Sequence, residues 1–128
     1  MNLPDLYPRF SDAEMVRRRS AIVRVMAERE VGHLLIYGAN RFGTAVGWLT
    51  RWPVTREAYV VVTPGEPDIL FVDYYNHVPN ARRMATEADV RACEGRGIEL
   101  PLAALRERGA TGRRLGVIGP LPWRAAGA

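Results

Sequence analysis

The sequence has no lysine, one cysteine and two histidines. The single cysteine, Cys93, excludes an internal disulfide and a zinc site built from cysteines, and we expect it to be buried and unreactive. His33 and His77 belong to no H-x-x-H or H-E-x-x-H motif, so we expect no catalytic residue and no metal ligand in this chain. No G-x-S-x-G sequence is present either, which argues against a serine nucleophile.

Long apolar runs are also missing. No stretch of about 18 apolar residues occurs, so we expect no transmembrane helix and no membrane partner. The first ten residues contain Asp5 and two prolines instead of an apolar leader, so we expect a cytoplasmic protein with a reduced cysteine. The glycine-containing segments 38–43 and 64–67 match neither a Walker loop nor G-x-G-x-x-G, which argues against a nucleotide site.

The remaining composition is that of one globular domain: 128 residues, of which 48% are hydrophobic and 25% charged. All 18 basic residues are arginine, and the formal net charge is +4. Arginine recognises oxyanions well, but codon bias also accounts for such a composition. Arginine clusters occur at 17–19, 82–83 and 113–114. Because they are dispersed and mixed with acids, we expect no nucleic-acid partner.

The first predicted helix has clear boundaries. Ser11 and Glu14 form a capping box, and Phe10 occupies the preceding apolar position of a hydrophobic staple. The helix is expected to run to about Glu30, before Gly32. Arg19 falls inside its apolar arc, so we expect this side chain either to reach the edge of the core or to pair with an acid.

Short apolar strands follow, interleaved with helices. Strands are predicted at 33–37, 57–63, 69–73, 89–92 and 115–118. Helices are predicted at 79–85 and 101–108, while 44–50 fits one or two helical turns or a strand. The pattern predicts an α/β fold with a mixed β-sheet flanked by helices, and the apolar hairpin strands indicate burial on both faces.

Two segments carry side chains suited to ligand or subunit contact, since aromatic, amide, imidazole and guanidinium groups on loops at strand ends are typical of such surfaces. The candidates after the first strand are Asn40, Arg41, Trp48 and Trp52. Those after the hairpin are Tyr74, Tyr75, Asn76 and His77. The alternative for the tryptophans is that they fill the core.

The order of several motifs is familiar. A capped helix with Arg17 and Arg18 leads into V-M-A-E-R-E-V-G-H-L-L-I-Y-G, followed by W-L-T at 48–50. The hairpin A-Y-V-V-V-T-P-G-E-P-D-I-L-F-V, the segment N-H-V-P-N-A and then G-R-R-L-G-V-I-G complete the pattern. Over nearly its whole length the chain resembles the N-terminal domain of the creatinase/prolidase/aminopeptidase P family, whose second domain has the pita-bread fold.

The resemblance implies a ribonuclease H-like fold for residues 1–120. Residues 121–128 then begin a linker or helix leading to a C-terminal catalytic domain that this sequence does not contain. In the family that domain usually holds two divalent metals, here expected to be Mn, Co or Zn, through two Asp, one His and two Glu, although creatinase works without metal. No residue of this chain matches that motif, so no cofactor is expected in it.

The resemblance also implies a function. The chain is expected to be a non-catalytic domain that supports a homodimer and controls access of a peptide or small-molecule substrate, with its rim serving its own subunit or the partner. Arg41 could hold a substrate carboxylate, and Trp48 or Trp52 could stack on a proline ring. The alternatives are a free-standing binding or scaffold module and the corresponding domain of a creatinase-like hydrolase that is not a peptidase.

Overall fold

The computed structural model of the chain describes residues 10–39, 45–54 and 56–119, which form one mixed five-stranded sheet with helices on both faces. The strands are β1 (His33–Gly38), β2 (Ala58–Val62), β3 (Ile69–Val72), β4 (Asp89–Ala92) and β5 (Leu115–Ile118). The helices are α1 (Asp12–Glu28), α2 (Ala45–Thr50), α3 (Val78–Met84) and α4 (Glu99–Glu107), and a 3₁₀ helix spans Tyr75–His77.

The strand order is β4-β3-β2-β1-β5. β2 is antiparallel to both of its neighbours, β1 and β3. β4 runs parallel to β3, and β5 runs parallel to β1. All strands except β2 therefore point the same way, and the predicted mixed sheet is confirmed.

The three central strands are buried on both faces. Every residue of β1, β2 and β3 is buried, as the apolar runs predicted. Because side chains alternate along a strand, Ile36 and Val60 pack with α1, α2 and α3, whereas Leu35 and Val61 pack with α4. The helices on the two faces thus shield the whole centre of the sheet from water.

The N-terminal cap of α1 is confirmed. The Ser11 hydroxyl accepts a 3.1 Å hydrogen bond from the Glu14 backbone N–H. The helix ends at Glu28, two residues before the predicted end, because Glu30 adopts a left-handed conformation with φ of 56°. Phe10 is 57% exposed, and its ring lies 3.9 Å from the Arg18 guanidinium. Segment 44–50, whose sequence fits either a helix or a strand, contains α2.

Two arginines from opposite faces of the sheet hold the turn between β2 and β3. Arg19 of α1 donates to the Asp68 carboxylate at 3.0 Å and to the Glu66 carbonyl at 2.8 Å. Arg108, just after α4, donates to the Pro67 carbonyl at 2.7 Å and pairs with the Glu66 carboxylate. Arg19 therefore pairs with an acid, and burial nevertheless raises the pKa of Asp68.

None of the helices in the described ranges has both the length and the apolar character that crossing a bilayer requires. Residues 121–128, expected to begin a linker or helix, lie outside the described part of the chain.

His33 makes stability depend on pH. It is 3% exposed, and its Nδ1 lies 3.0 Å from the Thr63 hydroxyl. Burial, reinforced by Arg113 and Arg108, lowers the His33 pKa below 6.5, so the folded chain binds this proton less readily than the unfolded chain. Neutral His33 therefore stabilises the folded chain at pH values above the unfolded-state pKa of about 6.5. We expect the free energy of unfolding to fall as the pH decreases through this value. Urea titrations from about pH 7.5 to 5.5 should show a smaller decrease in His33→Gln, and equal slopes would contradict this assignment.

Candidate functional site

The candidate site lies at the carboxyl-terminal edge of the sheet, which is the side on which β1, β3, β4 and β5 end. Loops that follow parallel strands meet at such an edge, and ligands of open α/β sheets commonly bind there. The segment 73–77 leaves this edge after β3, and the chain leaves it after β1 at residue 39. Both predicted candidate segments thus begin at the same edge.

The segment after β3 presents aromatic side chains to solvent. Tyr75 is 83% exposed and Tyr74 is 38% exposed. Asn76 is exposed and His77 is half-buried. The sequence predicted a strand end or loop for this segment, but Tyr75–His77 is a 3₁₀ helix that continues directly into α3. That continuation is possible because Pro79 lies in the first turn of α3, where its missing N–H costs no hydrogen bond.

Ring contacts join this segment to the connection between α2 and β2. The His77 ring lies 6.0 Å from that of Trp52 and meets the Tyr74 ring edge-on at 5.2 Å. Arg56 lies 5.0 Å over the Tyr74 ring and contacts the Asp73 carboxylate at 3.4 Å. The edge therefore combines packed aromatic rings with a partly exposed ion pair, a surface suited to contact with flat or apolar groups.

The structure separates the two tryptophan candidates. Trp52 is 6% exposed and belongs to the core, as the core-filling alternative predicted, so only part of its ring contributes to the edge. Trp48 is 38% exposed and faces α1. Asn40 and Arg41 lie outside the described residues, so their assigned roles remain predictions.

Sequence reasoning missed the burial of Arg18. This residue is 6% exposed, donates to the Trp48 carbonyl at 2.8 Å, and lies between the Phe10 and Trp48 rings. It also pairs at 3.1 Å with Glu14, which lies four residues earlier on the same helix. A signal was available, because residue 18 is three residues after buried Met15 and eight before buried Met26, a spacing that places it on the core-facing side of the helix.

The titratable groups near these elements offer little nucleophilic chemistry. Hydrogen bonds from Arg17 and Arg18 lower the pKa of Glu14 to about 2, so its carboxylate stays ionised. Burial raises the Cys93 pKa to about 12, and the side chain is 1% exposed. Cys93 is therefore the buried, unreactive thiol that was predicted.

Among residues 10–39, 45–54 and 56–119, no three histidine, cysteine or acidic side chains converge in a way that could hold a metal ion. The polar groups at the edge are the His77 imidazole and the Arg56–Asp73 pair, which can bind and orient a ligand.

No protein-family sequence model matches the chain, and no curated protein matches it in sequence. Solved structures do match its fold. An Xaa-Pro dipeptidase from Bacillus anthracis matches with a TM-score of 0.69 and 13% identity, over 88% of this chain and 30% of that one. An Xaa-Pro aminopeptidase from Streptococcus pyogenes matches with a TM-score of 0.59 and 16% identity, over 84% of this chain and 93% of that one.

A third match is the creatinase/prolidase-like N-terminal domain of a Corynebacterium diphtheriae protein, with a TM-score of 0.52 and 10% identity, over 84% of this chain and 95% of that one. The chain therefore has the fold of the creatinase/prolidase N-terminal domain, which confirms the fold that the sequence resemblance implied. It spans about 30% of the length of the Bacillus dipeptidase.

The contacts of Arg18 predict that arginine is required at this position. Lysine in Arg18→Lys keeps the charge but loses the planar group that lies between two rings and donates to Trp48, so we expect a loss of about 1–2 kcal/mol in the free energy of unfolding. Arg17→Lys is the matched control, because Arg17 binds the same Glu14 from a side chain that is 64% exposed, and we expect little change. Urea unfolding followed by tryptophan fluorescence measures both, and equal losses in the two variants would rule out the role of burial.

Proposed function

We propose that this chain, which has the creatinase/prolidase N-terminal fold, is the non-catalytic N-terminal domain of an Xaa-Pro peptidase-like metallohydrolase. The supporting observation is a fold match that covers 88% of this chain but only 30% of an Xaa-Pro dipeptidase. In this proposal residues 1–120 are the domain, and residues 121–128 lead toward the catalytic part. The role of the chain is to support a cytoplasmic homodimer and to restrict access to the active site.

The proposed division of labour follows from the side chains available. Hydrolysis by a metal pair needs several converging carboxylate and imidazole ligands and an open water position. The described residues gather no such set. The divalent metals, Mn, Co or Zn, would be held by the other domain and would activate water there, while this domain would bind and position the substrate.

The edge that carries Tyr74, Tyr75 and His77 is our candidate for the rim of the substrate entrance. The Tyr74 and Trp52 rings both contact the His77 ring, so this part of the rim would be rigid, and Tyr75 would project from it. A rigid rim admits short peptides and excludes long ones by its shape. We propose that Tyr75, the most exposed of these rings, provides the surface on which a proline ring stacks. Arg41 remains our candidate for the substrate carboxylate.

The purified 128-residue chain should not hydrolyse Xaa-Pro dipeptides when Mn²⁺, Co²⁺ or Zn²⁺ is added, because the residues that the structure describes contain no converging ligand set. Release of free proline measures the activity, with a known Xaa-Pro dipeptidase as positive control. Turnover that copurifies with the chain and is abolished by a chelator would overturn the proposed division of labour.

The coding sequence beyond residue 128 should encode two Asp, one His and two Glu in that order, whereas a stop codon would favour the free-standing module.

In that longer protein, we expect Tyr75→Ala to raise KM for an Xaa-Pro dipeptide about fivefold, the equivalent of about 1 kcal/mol of stacking. Tyr75→Phe is the matched control, because it keeps the ring. Steady-state kinetics with a dipeptide and a tripeptide measure both effects, and an unchanged KM in Tyr75→Ala would remove the stacking role.

A further inference from the structure

The two outermost strands of the sheet, β4 and β5, differ in the side chains that they expose. On β4 the exposed side chains are Asp89 and Arg91, which form an ion pair at 2.8 Å. Charged side chains are a common protection of an edge strand that stays free. β5 has the sequence L-G-V-I and no charge, yet Leu115, Val117 and Ile118 are 39%, 48% and 40% exposed. β5 thus has the composition of a covered strand.

An apolar groove of about 770 Å³ runs between β5 and α1. Its apolar lining includes Ile22, Met26, Leu34, Val25 and Trp48, and Arg29 and Arg114 also line it. The groove shares Val117 and Ile118 with the exposed surface of β5. The uncovered strand and the groove are therefore one continuous apolar surface, which we call the β5 surface.

The last described residue, Gly119, lies at the end of this surface. Gly119 follows β5 directly and has φ of 104°, a conformation that favours glycine. A Cβ at this position would overlap the carbonyl oxygen of Tyr37 in β1. The backbone is therefore held against β1 where it leaves β5, next to Ile118.

We propose that the β5 surface is the docking site for the chain's own continuation, residues 121–128. This segment, L-P-W-R-A-A-G-A, offers the apolar side chains of Leu121 and Trp123 and has one charged residue, Arg124. The nine residues that follow Gly119 can span up to about 30 Å, whereas four-residue β5 is about 13 Å long, so the segment can reach along the whole strand. Because the segment is covalently tethered, a high effective concentration favours its binding even when the contact area is modest.

A second copy of the chain is the less suitable occupant. Pairing of two β5 strands across a twofold axis would satisfy the free backbone edge, but it would leave the groove between α1 and β5 open. The inference goes beyond the proposed function and does not depend on it, since it concerns contacts within these 128 residues.

The experiment uses the full 128-residue chain labelled with 5-fluorotryptophan. The three ¹⁹F signals are assigned with single tryptophan-to-phenylalanine variants. We expect the Trp123 signal to show a solvent isotope shift well below that of free 5-fluorotryptophan, because a docked ring is shielded from water. Trp52, 6% exposed, provides an internal reference for a buried ring.

Val25→Arg places a charge in the groove, and we expect it to move the Trp123 signal to the position and isotope shift of an exposed ring. Val16→Arg is the matched control, because Val16 is an exposed valine on the same helix that does not line the groove. It should leave the Trp123 signal in place. Val25 and Val16 are 47% and 59% exposed, so both variants should keep the wild-type circular dichroism and melting temperature.

A Trp123 signal that already has the isotope shift of an exposed ring in the unsubstituted chain would overturn the proposal. So would a shielded signal that Val25→Arg does not change. Shielding that appears only as concentration rises, together with a dimer mass in light scattering, would assign the β5 surface to a second copy and would likewise overturn it.

Discussion

The burial of β1, β2 and β3 on both faces dictates where the helices of this fold must lie. These strands have no charged residue, and every one of their residues is buried, so helices must cover each face of the sheet. One face receives α1, α2 and α3, and the other receives α4. The turn after β2 lies between the two helical layers, where Arg19 and Arg108 hold it from opposite sides.

The lysine-free composition has a structural use in this fold. Arg18, Arg19, Arg51 and Arg108 each donate to a backbone carbonyl of another segment, and each also contacts a carboxylate. A guanidinium group can make several such bonds in one plane, whereas an ammonium group acts as a compact charge. These four positions therefore use a geometry that lysine lacks.

The chain presents two surfaces with different chemistry. The edge with Tyr74, Tyr75 and His77 is polar and aromatic, which suits the proposed contact with a substrate. The β5 surface is mostly apolar, with no charge on β5 itself, which suits permanent burial. Only the first of these surfaces could be predicted from the sequence, because aromatic and polar side chains on a loop mark it. The β5 surface could not, because an apolar strand has the same kind of sequence whether or not another segment covers it.

The order and type of nearly every element could be predicted from the sequence, since the Ser11 cap, the β-branched runs of the central strands and the glycine stops are local signals. The sequence also predicted that Cys93 would be an unreactive thiol. Only the tertiary structure decided that Trp52 would join the core beside His77 and that Arg18 would lie beneath Trp48. Those contacts join segments far apart in the chain, and their geometry depends on how helices pack on the sheet, which no local pattern specifies.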